Sequence, residues 1–335
     1  MRIHKTLALG ILAAAAAAAL AGGALALSQT RQPAAVTRGE SAPPAQAQQP
    51  SGEGLPKTLT LGGRSYALRD DITTVLFMGV DVNSDYDPAP GLLTVGTGGR
   101  SDVLLLAILY EEDETSSLLQ ISRDSIVSVD VYSSKTDTFL YSADMQITMQ
   151  YAMGGSDRRS VRLVKNKVGE MLGGLAIDYG ISLKMDGMAP LAEVLGGIPV
   201  TMTADYTAID PAFTEGASLR LTGEQAYRFA RWRDTTHSGG NDDRMARQRR
   251  LLSGVLDCLS QGGDELYTAA IEAAEPYMYS DADAETLEAL SRYRFTTSYM
   301  VPGETVYSED DQHDEYIVDY PALEALIAKL FYTEV

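Results

Sequence analysis

The chain has 335 residues, 45% of them hydrophobic, and a formal net charge of −19, enough for one large core or two small ones. The acidic balance excludes nucleic acid as a partner, because phosphates would be repelled over most of the surface. A single cysteine, Cys258, permits no intrachain disulfide, and the three separated histidines, His4, His237 and His313, argue against a His-rich zinc site.

Arg2 and Lys5 precede an uncharged run of mostly Ala and Leu from Leu7 to Ser28. Its length matches the roughly 20 residues that cross a bilayer as a helix, and the basic flank holds the N-terminus in the cytoplasm. A cleaved signal peptide is the rival reading, with small residues from Ala24 to Ser28 at the cleavage position, but such peptides carry shorter apolar regions. The expectation is residues 1–6 as a cytoplasmic tip, 7–28 as a transmembrane signal-anchor, 29–56 as a flexible extracellular linker rich in Pro, Ala, Gln and Ser, and 57–335 as an extracellular folded domain.

Within that domain, "TTVLFMGVD" (Thr73 to Asp81), "SDVLLLAILY" (Ser101 to Tyr110) and "SLLQISRDSIVSVDVY" (Ser117 to Tyr132) read as buried strands. Helices are expected from Ala143 to Met153 and from Val161 to Leu172. A strand from Tyr179 to Leu183 then leads into a helix from Asp186 to Leu195 that closes on Gly196 and Gly197. "IPVTM" (Ile198 to Met202) is a further strand. Amphipathic helices near Ala284 to Tyr293 and Pro321 to Leu330 flank an acidic loop, Ser308 to Glu315. Strands separated by helices imply an α/β sheet covered on both faces. Met149, Met153, Met185 and Met188 either fill the core or offer adaptable side chains to a flexible apolar ligand.

The arginines gather in "FARWRDTTHSGGNDDRMARQRRLL" (Phe229 to Leu252). Thr222 stands three residues before Gln225, a capping-box pattern that starts a helix ending near Arg231 and Arg233. After the Gly-rich loop, Asp242 or Asp243 caps a second helix. With Arg244 at zero and 100° per residue, Leu251, Val255 and Leu259 fall at about 340°, 20° and 60°, and Arg247 and Gln248 at about 300° and 40°. The apolar face therefore carries two arginines and a glutamine in its first turns, while Arg249 and Arg250 point elsewhere. An inward cation needs a partner. A protein carboxylate is one candidate, and a bound phosphate, matched to the guanidinium fork, is the other. Asp81, Asp102 and the pair Arg123–Asp124 stand at strand ends, where an α/β sheet places its ligand crevice; carboxylates and arginines together suit a magnesium-bound diphosphate.

The order "LFMGVD", "GRSDVLLLAI", "LLQISRDS", "MQYAMGG", "LTGEQAYRFARWRD" and "DRMARQ" resembles the LytR-CpsA-Psr family over a motif core of residues 73–259. The resemblance implies a central mixed sheet with helices on both faces after an N-terminal transmembrane helix. It also implies an enzyme of the cytoplasmic membrane's outer side, which moves a glycopolymer, as a sugar phosphate, from an undecaprenyl diphosphate carrier to peptidoglycan. The family's metal-binding aspartates fall on Asp81 and Asp102, with Mg2+, or Mn2+ in its place, as the cation. Its diphosphate-binding positions fall on Arg123, Arg231, Arg233, Arg244 and Gln248. Arg100 stands near the site, and Arg247 belongs to the motif with a less defined role. Asp81, Arg123, Arg231 and Arg244 are the catalytic candidates. Two departures stand out: Asn83 where the family often has Arg, and "QISRD" for its usual "SIPRD". A hydrolase releasing polymer to water and a non-catalytic envelope-binding protein are the alternatives.

Overall fold

The computed structural model describes residues 54–81, 99–133, 136–232, 240–282, 293–308 and 313–335. The chain forms two compact units, one running to Ser182 and resuming at Tyr299–Val335, the other Leu183–Ser298. The first contains strands β1 (Thr58–Leu61), β2 (Arg64–Leu68), β3 (Ile72–Asp81), β4 (Arg100–Tyr110), β5 (Thr115–Ile121), β6 (Ile126–Tyr132) and β7 (Phe139–Gln146). Helices Met149–Ala152 and Asp157–Met171 follow, and the boundary falls within β8 (Tyr179–Lys184). The second unit has helix Met188–Val194, β9 (Ile198–Thr201), β10 (Ser218–Leu221), helices Gly223–Arg231 and Gly240–Ala274, and β11 (Met278–Ser280); β12 (Arg294–Met300) spans the second boundary. The chain closes with β13 (Gly303–Ser308), β14 (His313–Val318), helix Tyr320–Phe331 and β15 (Tyr332–Glu334), which pairs with β2.

The first unit is built on the neighbouring strands β8-β3-β4-β5. Thr74 to Met78 and Leu104 to Leu109 are buried without a break. Because successive strand side chains point to opposite faces, such runs mean that both faces of the sheet are covered, as the sequence implies. Each fully buried Val, Leu or Ile contributes about 1.5–3 kcal/mol. β3, β4 and β5 pair antiparallel in that order, and β4 turns directly into β5 from Tyr110 to Thr115.

The third apolar run is two strands, because the chain turns at Ser122 to Ser125, where Ser125 N–H donates to Ser122 O at 3.1 Å. The helix expected from Ala143 shrinks to Met149–Ala152, because Phe139 to Gln146 pair with β6 from Tyr132↔Phe139 to Ile126↔Gln146. Cross-strand pairing there overrides an apolar pattern that suits a helix. Tyr151 on this short helix is fully buried, its hydroxyl within bonding distance of Asp157 Oδ1 (3.1 Å) and Ser182 Oγ (3.2 Å). Burial pushes its phenol pKa far above the usual value.

The second unit packs around Leu191, Ile198, Phe213, Leu221, Phe229, Leu251 and Val255. Met185 belongs to this core and Met188 packs against it, so those two methionines fill space. Thr222 and Gln225 form the expected capping box. The long helix starts at Gly240, before either aspartate expected to cap it, and carries Gly254 where it crosses β9. A Cβ at residue 254 would lie 2.2 Å from Pro199 O, so only glycine allows this approach.

Arg247 is the hub of the helix pair. It is wholly buried. Its Nε donates to Phe229 O at 2.9 Å, Nη2 to Trp232 O and Nη1 to Asp243 Oδ2, while the guanidinium lies 5.2 Å from the Trp232 ring centroid. Burial lowers its pKa and Asp243 opposes that shift. Two directed bonds, to Phe229 O and Trp232 O, thus tie the end of helix Gly223–Arg231 to helix Gly240–Ala274, and the Asp243 bond holds the guanidinium from its own helix.

Among the described residues no helix is long and apolar enough to cross a membrane. The expected anchor at 7–28, most of the linker, and the helix near Ala284, apart from Tyr293, lie outside them. The expected acidic loop is described only at its ends; His313 opens β14, and Asp314 is buried.

Gly254→Ala gains about 1 kcal/mol in helix propensity but loses about 1–3 kcal/mol to overpacking, so its urea midpoint should fall. Arg247→Met leaves two carbonyls and a carboxylate without their donor and should cost about 3–5 kcal/mol. Since Trp232 is the only tryptophan, its fluorescence reports that loss at the site; an unchanged emission and midpoint would refute the hub.

Candidate functional site

The carboxylate-bearing strand ends lie in the first unit. Asp81 ends β3 and faces Arg100 across the β3–β4 ladder. Gly79 pairs with Val103 and Val80 with Ser101, so Asp102 is an extra residue with no single partner: a β-bulge at the expected metal ligand. A bulge re-aims a side chain and raises the local twist, a feature common beside active sites. Asp102 is 5% exposed. Its Oδ1 accepts from Arg123 Nη1, and Arg123 Nε donates to Asp124 Oδ1 at 3.2 Å. Arg123 Nη2 has no acceptor among the described residues. Arg100, at the start of β4, is exposed.

The turn that presents Arg123 is held from several sides. Thr148 N–H donates to Arg123 O at 3.1 Å, and Tyr316 N–H donates to Asp124 O at 2.9 Å. Gln146 Nε2 bridges Asp124 Oδ1 and Asp314 O, both at 2.9 Å. Ser122, where the family usually has Pro, accepts from Asp124 N–H at 3.3 Å through its hydroxyl. A side-chain turn bond of this kind substitutes for the preset backbone of a proline. Gln146 is not a candidate from sequence, because it sits on a stretch that reads as helix, which hides its reach to Asp124.

The arginine helices lie in the second unit. Arg244, Arg247, Gln248, Leu251 and Val255 are all buried along the Gly240–Ala274 helix, which is the face given by the 100° periodicity. Gln248 Nε2 donates to Ala230 O at 3.2 Å, and its buried Oε1 takes no donor among the described residues. Arg231 ends the preceding helix with its guanidinium over the Tyr227 ring, 5.1 Å from the centroid, and Nη1 on Tyr227 Oη. Arg247, a motif member with a less defined role, spends its fork on protein acceptors as described above. Arg233 and Asn83 lie outside the described residues, as does the Arg249 side chain. Arg250, expected to point away from the packed face, is half-buried, and its Nη1 is shielded from water with no acceptor among the described residues.

The two clusters differ in sign. Asp81, Asp102 and Asp124 outnumber Arg100 and Arg123 in the first, which favours a cation; the second gathers Arg231, Arg244 and Arg247 against Asp243. No group of three or more His, Cys, Asp or Glu among the described residues could hold a metal ion by itself. Two carboxylates suit a hard cation that keeps waters and takes phosphate oxygens for its other ligands, the habit of magnesium.

Known proteins place the fold. The chain resembles protein gbs0355 from Streptococcus agalactiae, with a TM-score of 0.59 at 22% identity, covering 78% of this chain and 86% of that one. It likewise resembles the crystal structure of B. subtilis TagV, with a TM-score of 0.54 at 22% identity over 78% and 97% of the two chains. In sequence it is 27% identical over 264 residues to the Bacillus subtilis (strain 168) polyisoprenyl-teichoic acid–peptidoglycan teichoic acid transferase TagV, covering 71% of this chain and 60% of that protein. It is 28% identical over 186 residues to the polyisoprenyl-teichoic acid–peptidoglycan teichoic acid transferase TagU from Halalkalibacterium halodurans, covering 56% of this chain and 53% of that protein. The match thus spans 53–60% of the length of these curated relatives. The LytR_cpsA_psr family profile matches residues 39–331. The chain belongs to the LytR-CpsA-Psr family.

Proposed function

We propose that the chain is a transferase that moves a glycopolymer, as a sugar phosphate, from an undecaprenyl diphosphate-linked precursor to a hydroxyl of peptidoglycan. The observation that carries this reading is the bulged Asp102 paired with buried Arg123, with Asp81 ending the neighbouring strand. Family membership and the teichoic acid transferase names of TagU and TagV support the substrate class. The proposed location is the cell membrane, with residues 7–28 as a single-pass anchor and the folded part outside.

The chemistry assigned to each group follows from its surroundings. Asp81 and Asp102 would hold Mg2+, or Mn2+, whose charge supports the diphosphate when bound. Arg123, whose Nη2 meets no acceptor among the described residues, would clamp a phosphate oxygen, and Asp124, fixed by Gln146, would keep that fork in place. Arg231, Arg233, Arg244 and Gln248 would bind the diphosphate, Arg100 would assist from the start of β4, and Arg247 would act by holding the two helices together. Charge neutralisation and positioning are the main levers in phosphoryl transfer, and the reaction asks little covalent work of the protein. Asp81 is the proposed base for the acceptor hydroxyl wherever the metal leaves its carboxylate available.

The reading is tested by incubating the chain with a lipid-diphosphate donor and a glycan acceptor. Arg123→Ala and Arg244→Ala should each lose about 2–4 kcal/mol of transition-state stabilisation, read as a drop in kcat/KM. Arg228→Ala serves as the control, since Arg228 is part-exposed and bonds Asp210 at 3.0 Å; an equal loss there would undo the assignment. Polymer released to water, with none on the acceptor, would identify a hydrolase instead.

Asp102→Asn replaces a hard anionic ligand with a neutral amide. Magnesium affinity, measured by calorimetry, and transfer should fall together. Full activity in excess chelator would remove the metal from the reading and leave the arginines.

A further inference from the structure

Of the exposed large hydrophobic residues among those described, three are consecutive: Phe139, Leu140 and Tyr141, each more than half exposed, at the start of β7. Val131 and Tyr132 are adjacent on β6 and face opposite ways, so their partners Tyr141 and Phe139 put apolar surface on both faces. Leu140 is the extra residue of a bulge, because Tyr132 pairs with Phe139 and Val131 with Tyr141. The β6 residues Val127, Val129 and Val131 are buried, yet Tyr141, opposite Val131, is 54% exposed. β7 therefore overhangs the packed part of the unit as the outer strand of a two-stranded sheet.

The patch is braced by a basic helix. Tyr132 meets Phe139 edge-to-face with centroids 5.9 Å apart, and Arg159 lies 4.6 Å over the Tyr132 ring. Arg159 also bonds the hairpin turn, donating to Asp137 O at 2.9 Å and pairing with the Asp137 carboxylate. Its helix, "DRRSVRLVKNKVGEM", carries Arg158, Arg159, Arg162, Lys165 and Lys167 against Asp157 and Glu170. Arg158 and Arg162 are exposed. In a chain of net charge −19 this excess of positive charge runs against the average. The nearby acidic groups Asp137 and Asp130 are paired with Arg159 and Lys167, leaving Asp144 as the exposed carboxylate farther along β7.

We propose that this tip is a second membrane contact, which seats Phe139, Leu140 and Tyr141 at the interface of an anionic bilayer with Arg158 and Arg162 among the lipid headgroups. Aromatic side chains favour that depth, and basic residues near an anionic surface each strengthen attraction about fivefold. Apolar surface on both faces suits a soft medium, whereas a glycan or a flat protein partner would cover one. The aliphatic Leu140 has no use in stacking on a sugar. This contact does not depend on the catalytic reading.

The test uses the full chain reconstituted in vesicles, with Leu140→Cys carrying a polarity-sensitive fluorophore. The native Cys258 is buried, so the label goes to position 140. A label at Thr207→Cys, an exposed position of the other unit, gives the baseline. Phosphatidylglycerol vesicles should blue-shift the label at 140, and lipids carrying a shallow quencher should dim it. Both effects should be reduced by Arg158→Glu with Arg162→Glu. Identical emission at 140 in phosphatidylglycerol, phosphatidylcholine and detergent would overturn the proposal. So would a shift that appears only with added peptidoglycan fragments, or one that follows protein concentration in detergent and marks a second copy of the chain.

Discussion

A guanidinium that leaves water must be met by acceptors, and that constraint organises the chemistry of both units. Arg123 is met by Asp102 and Asp124. Arg247 is met by Asp243 and two helix-end carbonyls. An unmatched buried ion costs several kcal/mol, so each arginine dictates the backbone that surrounds it. For Arg247 the acceptors are all protein groups, and the consequence is mechanical: two helices locked end to side. For Arg123 they are two carboxylates of the first unit, and Nη2 meets no acceptor among the described residues.

The distinction between a locking arginine and a binding arginine was not visible in the sequence. Periodicity placed Arg244, Arg247 and Gln248 on one inward face, and their burial agrees with it. What periodicity lacks is the identity of the acceptors across the interface. Phe229 O and Trp232 O are backbone groups freed by the end of a helix, and no side-chain pattern announces them. Arg250 shows the opposite limit. Its direction on the helical wheel suggested solvent, but a wheel knows nothing of what packs against its other sides.

The strands were legible wherever an apolar run was uninterrupted, as in β3 and β4. Their pairing was less so: β4 turns back into β5 within a few residues and pairs with it antiparallel, and an apolar run does not announce its partner. The second half of β7, from Ala143, reads as the start of a helix, because the pairing with β6 that makes it a strand leaves no mark in its own residues. The misreading also hid Gln146, whose amide reaches Asp124. The "RD" pair stood out as a polar break in an apolar run; the bulge that singles out Asp102 did not, since bulges depend on the partner strand's register. Ser122 in place of proline is explained by its bond to the Asp124 N–H.

The central claim is that the bond broken lies between the two phosphates of the carrier, with the arginines and a metal balancing the charge that develops there. Mass spectrometry of the lipid product tests it most directly. Transfer of the polymer as a sugar phosphate leaves undecaprenyl monophosphate, with one phosphate carried to the acceptor. Undecaprenyl diphosphate as the released lipid, with a phosphate-free linkage on the peptidoglycan, would contradict the account.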